Sequence, residues 1–330
     1  MWLVTGATGH IGNVLVRRLL ERGEKVRALI PPGECRESIQ GLNVEAVEGD
    51  VLNLDSLFES FRGVHGIFHL AGVISIMPGS NGFVHKVNVD GTRNVLHAAK
   101  EMEIQKLVYT SSIHAIKRVE QGVIDEALPY DPGNPYGAYD RSKAQATLDV
   151  QEAAQAGLEA VIACPTGVIG PFDFRGSMMG DVIRTAAEKK PTLYVDGAYD
   201  FVDVRDVADG LIAAAEYGKR GESYILSGQR MSVRYLLETV REITGQGFMV
   251  LKMPFELAKW AAQFTPFYYR WTKTSPRFTP YSLEVLRSNS NISHAKATRE
   301  LGYQPRSLYE SIADTVRWFL SRRAFAKIKQ

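Results

Sequence analysis

Three glycines within the first twelve residues constrain this chain more than any other feature. In TGATGHIG, residues 5 to 12, they follow the apolar run WLVT and open a segment from about His10 to Arg22. That segment carries Ile11, Val14, Leu15 and Leu19 at helical spacing. A glycine loop between a strand and a helix is built to receive phosphate. Gly6 permits the tight turn, Gly9 lets the backbone approach a pyrophosphate, Gly12 allows close helix packing, and the helix N-terminus favours negative charge. Gly6, Thr8, Gly9, His10, Ile11 and Gly12 are therefore candidate cofactor contacts.

The rest of the first half repeats the alternation. VRALI, VEAVEG, GIFHLAG and KLVYTSS read as strands, with helices near Leu54 to Phe61 and from about Phe83 to Met102; the helix that carries Tyr139 and the strand AVIACP follow. Strands joined by crossover helices imply an α/β fold, a Rossmann-type doubly wound parallel sheet. After Pro165 glycines, prolines and isolated strands such as TLYVDG and SYILSG mix with helices, which implies a smaller C-terminal α+β substrate lobe. The expected division is a dinucleotide-binding domain over 1–164 and a mainly substrate-binding lobe over 165–330, some of whose segments return to the sheet. With 330 residues, 45% hydrophobic and 23% charged, the chain can bury such a core.

Further positions fit a dinucleotide. Asp50 and Val51 end the third strand, where a carboxylate could accept from an adenine amino group or cap the following turn. Leu70, Ala71 and Gly72 end the fourth strand with small residues, as a ribose passing close to the backbone requires. Asn88 lies in a helical stretch, where it could also simply bond backbone. At the end of the second strand Pro31 and Pro32 stand where an acid would take the ribose hydroxyls of NAD, and Arg36 lies nearby, which leans towards NADP(H).

In YGAYDRSK, Tyr139 and Lys143 stand four apart, on one face of a helix, so an ammonium beside the phenol would hold it below its usual range as a proton donor and acceptor. The same spacing recurs at Tyr269 and Lys273, and spacing alone does not choose between the pairs.

With TGATGHIG, HLAG, YTSS and YDRSK in this order, followed by CPTGVIGP and DFVDVRDVADG, the chain resembles the extended short-chain dehydrogenase/reductase family over nearly its whole length. The texture is that of its dihydroflavonol-reductase-like and hopanoid-associated epimerase-like branch. The resemblance implies that Tyr139 is the general acid or base, that Lys143 lowers its pKa and bonds the nicotinamide ribose, and that Ser112, with Ser111 as competitor, bonds the substrate oxygen. It also implies that Pro165 and Val168 line the nicotinamide, that the pair at Tyr269 is structural, and that a homodimer forms.

Relatives that handle nucleotide-diphosphate sugars carry an arginine just before the aromatic of the motif read here as YDFVDVRDVA, and a second one downstream, because two diphosphate charges need bidentate cations. Here Tyr199 and Asp200 precede Phe201, leaving Arg205 or Arg175 as substitutes. Ile113 and His114 replace the acidic pair of the dehydratases. The reading is an NAD(P)-dependent reductase of a ketone or aldehyde. Its rivals are an epimerase of a sugar or sugar-linked lipid and a non-catalytic NAD(P)-binding sensor. Ile74, Ile76 and Met77 after HLAG suit an apolar or aromatic carbonyl compound, and His114 is a substrate contact or a satisfied structural histidine. Asp203 and Asp206 are expected to cap the helix beginning near Val204.

Other classes find little support. Net charge is +2 with both signs interspersed, so no nucleic-acid footprint is expected. Cys35 and Cys164 belong to no metal-like cluster, so no metal is expected. No charged leader precedes MWLVTG and no apolar run is of membrane-spanning length, so a reduced, cytoplasmic protein is expected. The tail SRRAFAKIKQ reads as a solvated helix end, and the aromatic segment PFELAKWAAQFTPFYYRWTK as core or a lobe cover rather than a membrane-lying helix.

Overall fold

Alternating short strands and helices take shape as β1 (Trp2–Thr5), α1 (His10–Glu21), β2 (Val26–Ile30), β3 (Glu45–Glu48), α2 (Leu54–Phe61) and β4 (Gly66–His69) in the computed structural model. The structure describes residues 1–75, 82–188, 192–245, 249–272 and 279–328, with side chains omitted for 266–270, 272 and 323–328. The helix expected from Phe83 to Met102 is interrupted. It consists of α3 (Gly82–His85), a π-helical turn (Lys86–Asp90) and α4 (Gly91–Glu101). The wider turn carries Asn88, whose amide ties both backbone groups of Val73 at 2.7 and 3.0 Å, and such bulges recur where a side chain must be re-aimed.

Next come β5 (Lys106–Thr110), α5 (Ala138–Gln155), β6 (Ala160–Pro165), β7 (Gly167–Ile169), α6 (Met178–Ala187), β8 (Thr192–Tyr194), β9 (Ala198–Asp203), α7 (Val204–Tyr217) and β10 (Ser223–Leu226). The chain closes with β11 (Gln229–Ser232), α8 (Val233–Thr244), β12 (Val250–Lys252), α9 (Phe255–Thr272), α10 (Pro280–Arg287), α11 (Ala295–Leu301) and α12 (Leu308–Ile328). The described residues form a seven-stranded sheet of order β10-β6-β5-β4-β1-β2-β3, parallel throughout. Helices cover both faces, so β4 and β6 are buried along their whole length and read as apolar runs. SYIL, read as an isolated lobe strand, is β10 and joins the large sheet beside β6. The edge strand β3 carries exposed Glu45 and Glu48, which face Arg27 and Arg36 at 3.0 and 3.7 Å.

The remaining strands make small sheets, β11-β9-β7 and β12-β8. Asp203 caps α7 as expected, accepting from the Arg205 N–H at 2.8 Å; Asp206 does not cap but accepts from the Arg306 backbone and side chain, both at 2.8 Å. Of the two readings of the aromatic segment, core or a lobe cover, core fails for α9. Ala258 and Ala262 pack inward against Val195 and Leu283, while Trp260, Phe264 and Trp271 face outward.

Asp200, buried in β9, accepts from the Thr166 hydroxyl at 2.6 Å and the Gly228 N–H at 3.0 Å, yet burial outweighs these bonds and pushes its carboxyl up to about 6. A carboxyl that holds its proton more tightly folded than unfolded stabilises most below its unfolded pKa and loses that stability as pH rises through the folded value. Asp200→Asn keeps the oxygen that accepts both bonds and is expected to add about 1–3 kcal/mol at pH 7. Urea denaturation of both proteins should show the gap absent near pH 4 and opening by pH 7; a gap of constant size would contradict the assignment.

Candidate active site

The loop after β1 is wound too tightly for a side chain at Gly6, and its packing on α1 leaves no room for one at Gly12. Gly9 donates to the Gly6 carbonyl at 3.0 Å, and Gly6 has φ +68°. A Cβ on Gly6 would stand 2.8 Å from the Ala71 nitrogen, and one on Gly12 2.1 Å from the Gly6 oxygen. Behind the loop, Thr5 Oγ1 accepts from the Leu70 and Ala71 N–H groups and bonds His69 Nδ1 at 2.8 Å, while His69 Nε2 meets Thr92 Oγ1 at 3.0 Å. Burial, with Lys143 adding to it, holds the imidazole down at about 3, so it is neutral. At the start of α1 no side chain caps the helix and its first turn contains no acid. Uncapped N–H groups at the positive end of a helix, beside a cradle that a Cβ would fill, fit a pyrophosphate.

The segment after β7 is tied down on this loop, which the sequence reading did not anticipate. His10 Nε2 bonds the Pro171 carbonyl at 3.0 Å, and Asn13 donates to the Phe172 carbonyl at 3.1 Å. Arg175 donates to the Thr8 hydroxyl at 2.8 Å and pairs with Glu34, whose carboxylate accepts from Thr8 at 3.1 Å. Glu34 is thus an acid just beyond β2, four residues past its end, following Pro31 and Pro32 and preceding Arg36. Ile11 is half-buried and packs in the core beside Val4 and Val14.

At the other end of the groove, Asp50 takes the Leu52 N–H at 2.9 Å and so caps its turn, and Val51 is buried, with a Cβ on Gly91 falling 2.7 Å from it. Arg36 is exposed and faces Glu48.

Beyond the ends of β4, β5 and β6 the candidate catalytic residues converge. A Cβ on Gly72 would lie 3.2 Å from Asn88 Oδ1 and 3.7 Å from Lys143 Nζ. Asn88 also donates to Ser142 at 2.9 Å, one residue before Lys143. Lys143 donates to the Thr110 carbonyl at 2.7 Å and the Tyr109 hydroxyl at 3.3 Å, and burial lowers its ammonium to about 8. The Ser112 hydroxyl accepts from the His114 N–H at 3.2 Å and acts on the Tyr139 phenol to lower its pKa, whereas Ser111 is engaged with Thr147 at 2.6 Å, so the two serines face different ways. The expected depression of Tyr139 does not occur. Burial pushes the phenol up to about 12, Ser112 opposes that and Asp140 adds to it, while the ammonium of Lys143 is turned to Thr110 and Tyr109. Pro165 closes β6, and Val168, half-buried in β7, is in register with Val202.

The far wall is an interlocked cluster. His114 stacks on Tyr199 at 5.9 Å and meets Tyr139 edge-on at 6.3 Å. Its Nε2 is 3.3 Å from the Tyr199 hydroxyl and its Nδ1 3.3 Å from the Tyr281 hydroxyl, so His114 is a satisfied histidine, held by burial below its ordinary value. Asp140, fully buried, accepts from Arg118 and from the Tyr281 hydroxyl, both at 2.7 Å, and Arg118 stacks on Tyr136 at 3.9 Å. Arg118, Asp140 and Tyr281 were missed in the sequence because Tyr281 approaches from α10, far along the chain. Ile74 is exposed, and Ile76, Met77 and Lys273 lie outside the described residues.

Asp140→Ala would leave the half-buried Arg118 without its carboxylate, with an expected cost of about 3 kcal/mol. Chemical denaturation at neutral pH measures it, and a change below about 1 kcal/mol would show the pair to be dispensable.

Residues 2–227 match the NAD dependent epimerase/dehydratase family. The chain is 36% identical to the sterol demethylase protein B of Methylococcus capsulatus, over 97% of this chain and 98% of that one. It is 31% identical to the 4-hydroxy-2-methyl-3-oxo-4-farnesyl-3,4-dihydroquinoline-1-oxide ketoreductase of Stigmatella aurantiaca, over 95% of both. The crystal structure of gox2253 superposes with a TM-score of 0.84 at 32% identity, covering 98% of each chain.

Proposed function

The chain belongs to the NAD dependent epimerase/dehydratase family, and on that premise we propose that it is an NAD(P)H-dependent reductase of an apolar ring ketone or related carbonyl compound. The observation that carries this reading is the wall facing Tyr139. It is aromatic, through Tyr199, Tyr281 and Tyr136, and its cation Arg118 is neutralised by Asp140. The substitutes considered for a diphosphate are engaged elsewhere. Arg205 is held by Asp203 and Asp314 at 2.8 and 2.7 Å, and Arg175 sits over the glycine loop. A nucleotide sugar would meet no spare charge among these residues. The relatives named for a sterol and for a farnesylated quinoline ketone support the same class of substrate.

When bound, the nicotinamide supplies hydride to the carbonyl carbon. Ser112 donates a hydrogen bond to the carbonyl oxygen as charge develops there, and Tyr139, protonated across the neutral range, gives that oxygen its proton. Lys143, fixed by Thr110 and Tyr109, keeps a donor for the ribose beside Gly72 and Asn88. Tyr139→Phe is expected to lower reduction by about a thousandfold with NADPH binding retained. Stopped-flow hydride transfer and cofactor fluorescence measure the two separately, and retained turnover would overturn the role. Release of the nucleotide from purified protein distinguishes the epimerase: freely exchanging cofactor fits a reductase, and tightly held NAD would exclude it.

For the donor, two guanidiniums stand beyond β2: Arg175, paired with Glu34, and Arg36, exposed and facing Glu48; this basic pair favours NADPH. Arg36→Ala should reduce the NADPH-over-NADH ratio of kcat/KM by about tenfold, and Glu34→Gln should raise it. An unchanged ratio in both variants would remove these residues from cofactor selection.

A further inference from the structure

Helix α9 is mounted the wrong way round for a core helix. Its small residues Ala258 and Ala262 face the protein, fully buried, whereas Leu257, Trp260, Phe264 and Trp271 are 54, 62, 55 and 84% exposed. Steps of three, four and seven residues place these four on one stripe of the helix. The strand leading into α9 continues the theme, since Leu251 of β12 lies in register with Leu193 of β8 and both are exposed. Monomeric proteins seldom leave a contiguous aromatic surface of this kind uncovered without a partner for it.

We propose that α9 is an interfacial anchor, whose aromatic stripe seats in the headgroup region of an anionic phospholipid bilayer with the helix lying in the membrane plane. Charge selects this occupant. From 249 to 287 the sequence has six basic residues, Lys252, Lys259, Arg270, Lys273, Arg277 and Arg287, against Glu256 and Glu284; Lys252 is paired with Asp196 after β8, so a local net charge of about +3 remains in a chain whose total is +2. Two copies meeting stripe to stripe would bring two such segments together and repel, whereas anionic lipid complements them. Among the described residues no helix is long and apolar enough to cross a membrane, which agrees with a helix that lies on the surface. Small residues inward and tryptophans outward suit a helix whose larger apolar face is meant for lipid. This inference rests on the stripe and its charge, not on the identity of the compound reduced.

The test uses the full-length protein with vesicles of equal phosphatidylcholine and phosphatidylglycerol. It should float with these vesicles, bind phosphatidylcholine-only vesicles more weakly, and release in high salt. Brominated lipids should quench its tryptophan emission, because Trp260 and Trp271 are exposed, while Trp2 packs on Phe68 and Trp318 on Phe174. The triple variant Trp260→Ala, Phe264→Ala, Trp271→Ala should bind about tenfold more weakly or less, with its circular dichroism unchanged. Absence of flotation and of quenching in the unmodified protein at low salt would overturn the proposal, without reference to any variant. A concentration-dependent dimer that the triple variant abolishes, with no vesicle binding, would overturn it in favour of a second copy of the chain.

Discussion

The architecture depends on one close approach, that of the turn at Gly6 to the end of β4. With 2.8 Å between a would-be Cβ and the Ala71 nitrogen, only a residue without a side chain lets β1 and β4 end at the same level. Thr5, His69 and Thr92 then lock the two strand ends by hydrogen bonds in a buried space, which keeps His69 neutral. Strand order in the sheet reverses direction between β1 and β4, so the crevice at their C-terminal ends is the place where this architecture opens to a ligand. The glycine loop, the segment Leu70 to Gly72 and the N-terminus of α1 are neighbours for that reason.

At the candidate proton donor two opposing effects meet, and their sizes decide the protonation state. Withdrawal from water favours the neutral phenol and the neutral amine. It therefore raises Tyr139 and lowers Lys143, drawing two groups of similar ordinary pKa apart. Had the ammonium been directed at the phenol, the Coulomb attraction would have worked the other way. The Thr110 carbonyl, at 2.7 Å, holds it instead. The same principle governs Asp200, where two good hydrogen bonds do not recover the cost of burial.

Much of this was legible in the chain because it is local. The bounds of Leu54 to Phe61 follow from apolar spacing behind Asn53, whose side chain accepts from the Ser56 N–H at the helix start. The glycine loop reads directly, since its requirement is steric. What resisted reading is long-range. Ser111 and Ser112 are chemically alike, and only the alternation of a strand, with Thr147 behind one and Tyr139 before the other, separates them. Asp140 beside Tyr139 resembles a solvent-facing helix residue until Arg118 and Tyr281 close over it. Glu34 was passed over because a loop of prolines and a glycine folds back to carry it to Thr8. SYIL has the composition of any buried strand, and nothing within it says which sheet it will join. Aromatic spacing on α9 showed a stripe but not the side on which the small alanines would make their own contacts.

The edge strand β3 bears on how the molecule behaves among copies of itself. An open parallel sheet ends in a row of unsatisfied backbone groups, a template for strand addition and aggregation. β10 closes one flank with side chains, Glu126 accepting from the Ile225 N–H at 2.8 Å and Lys296 donating to the Ser223 carbonyl at 3.0 Å, which leaves β3 as the open edge. On β3 the approaching neighbour would meet Glu45 and Glu48, both exposed, and would displace their pairing with Arg27 and Arg36 before a single ladder bond formed. Four residues of strand offer little in return. The charges at this rim thus oppose intermolecular β-sheet growth.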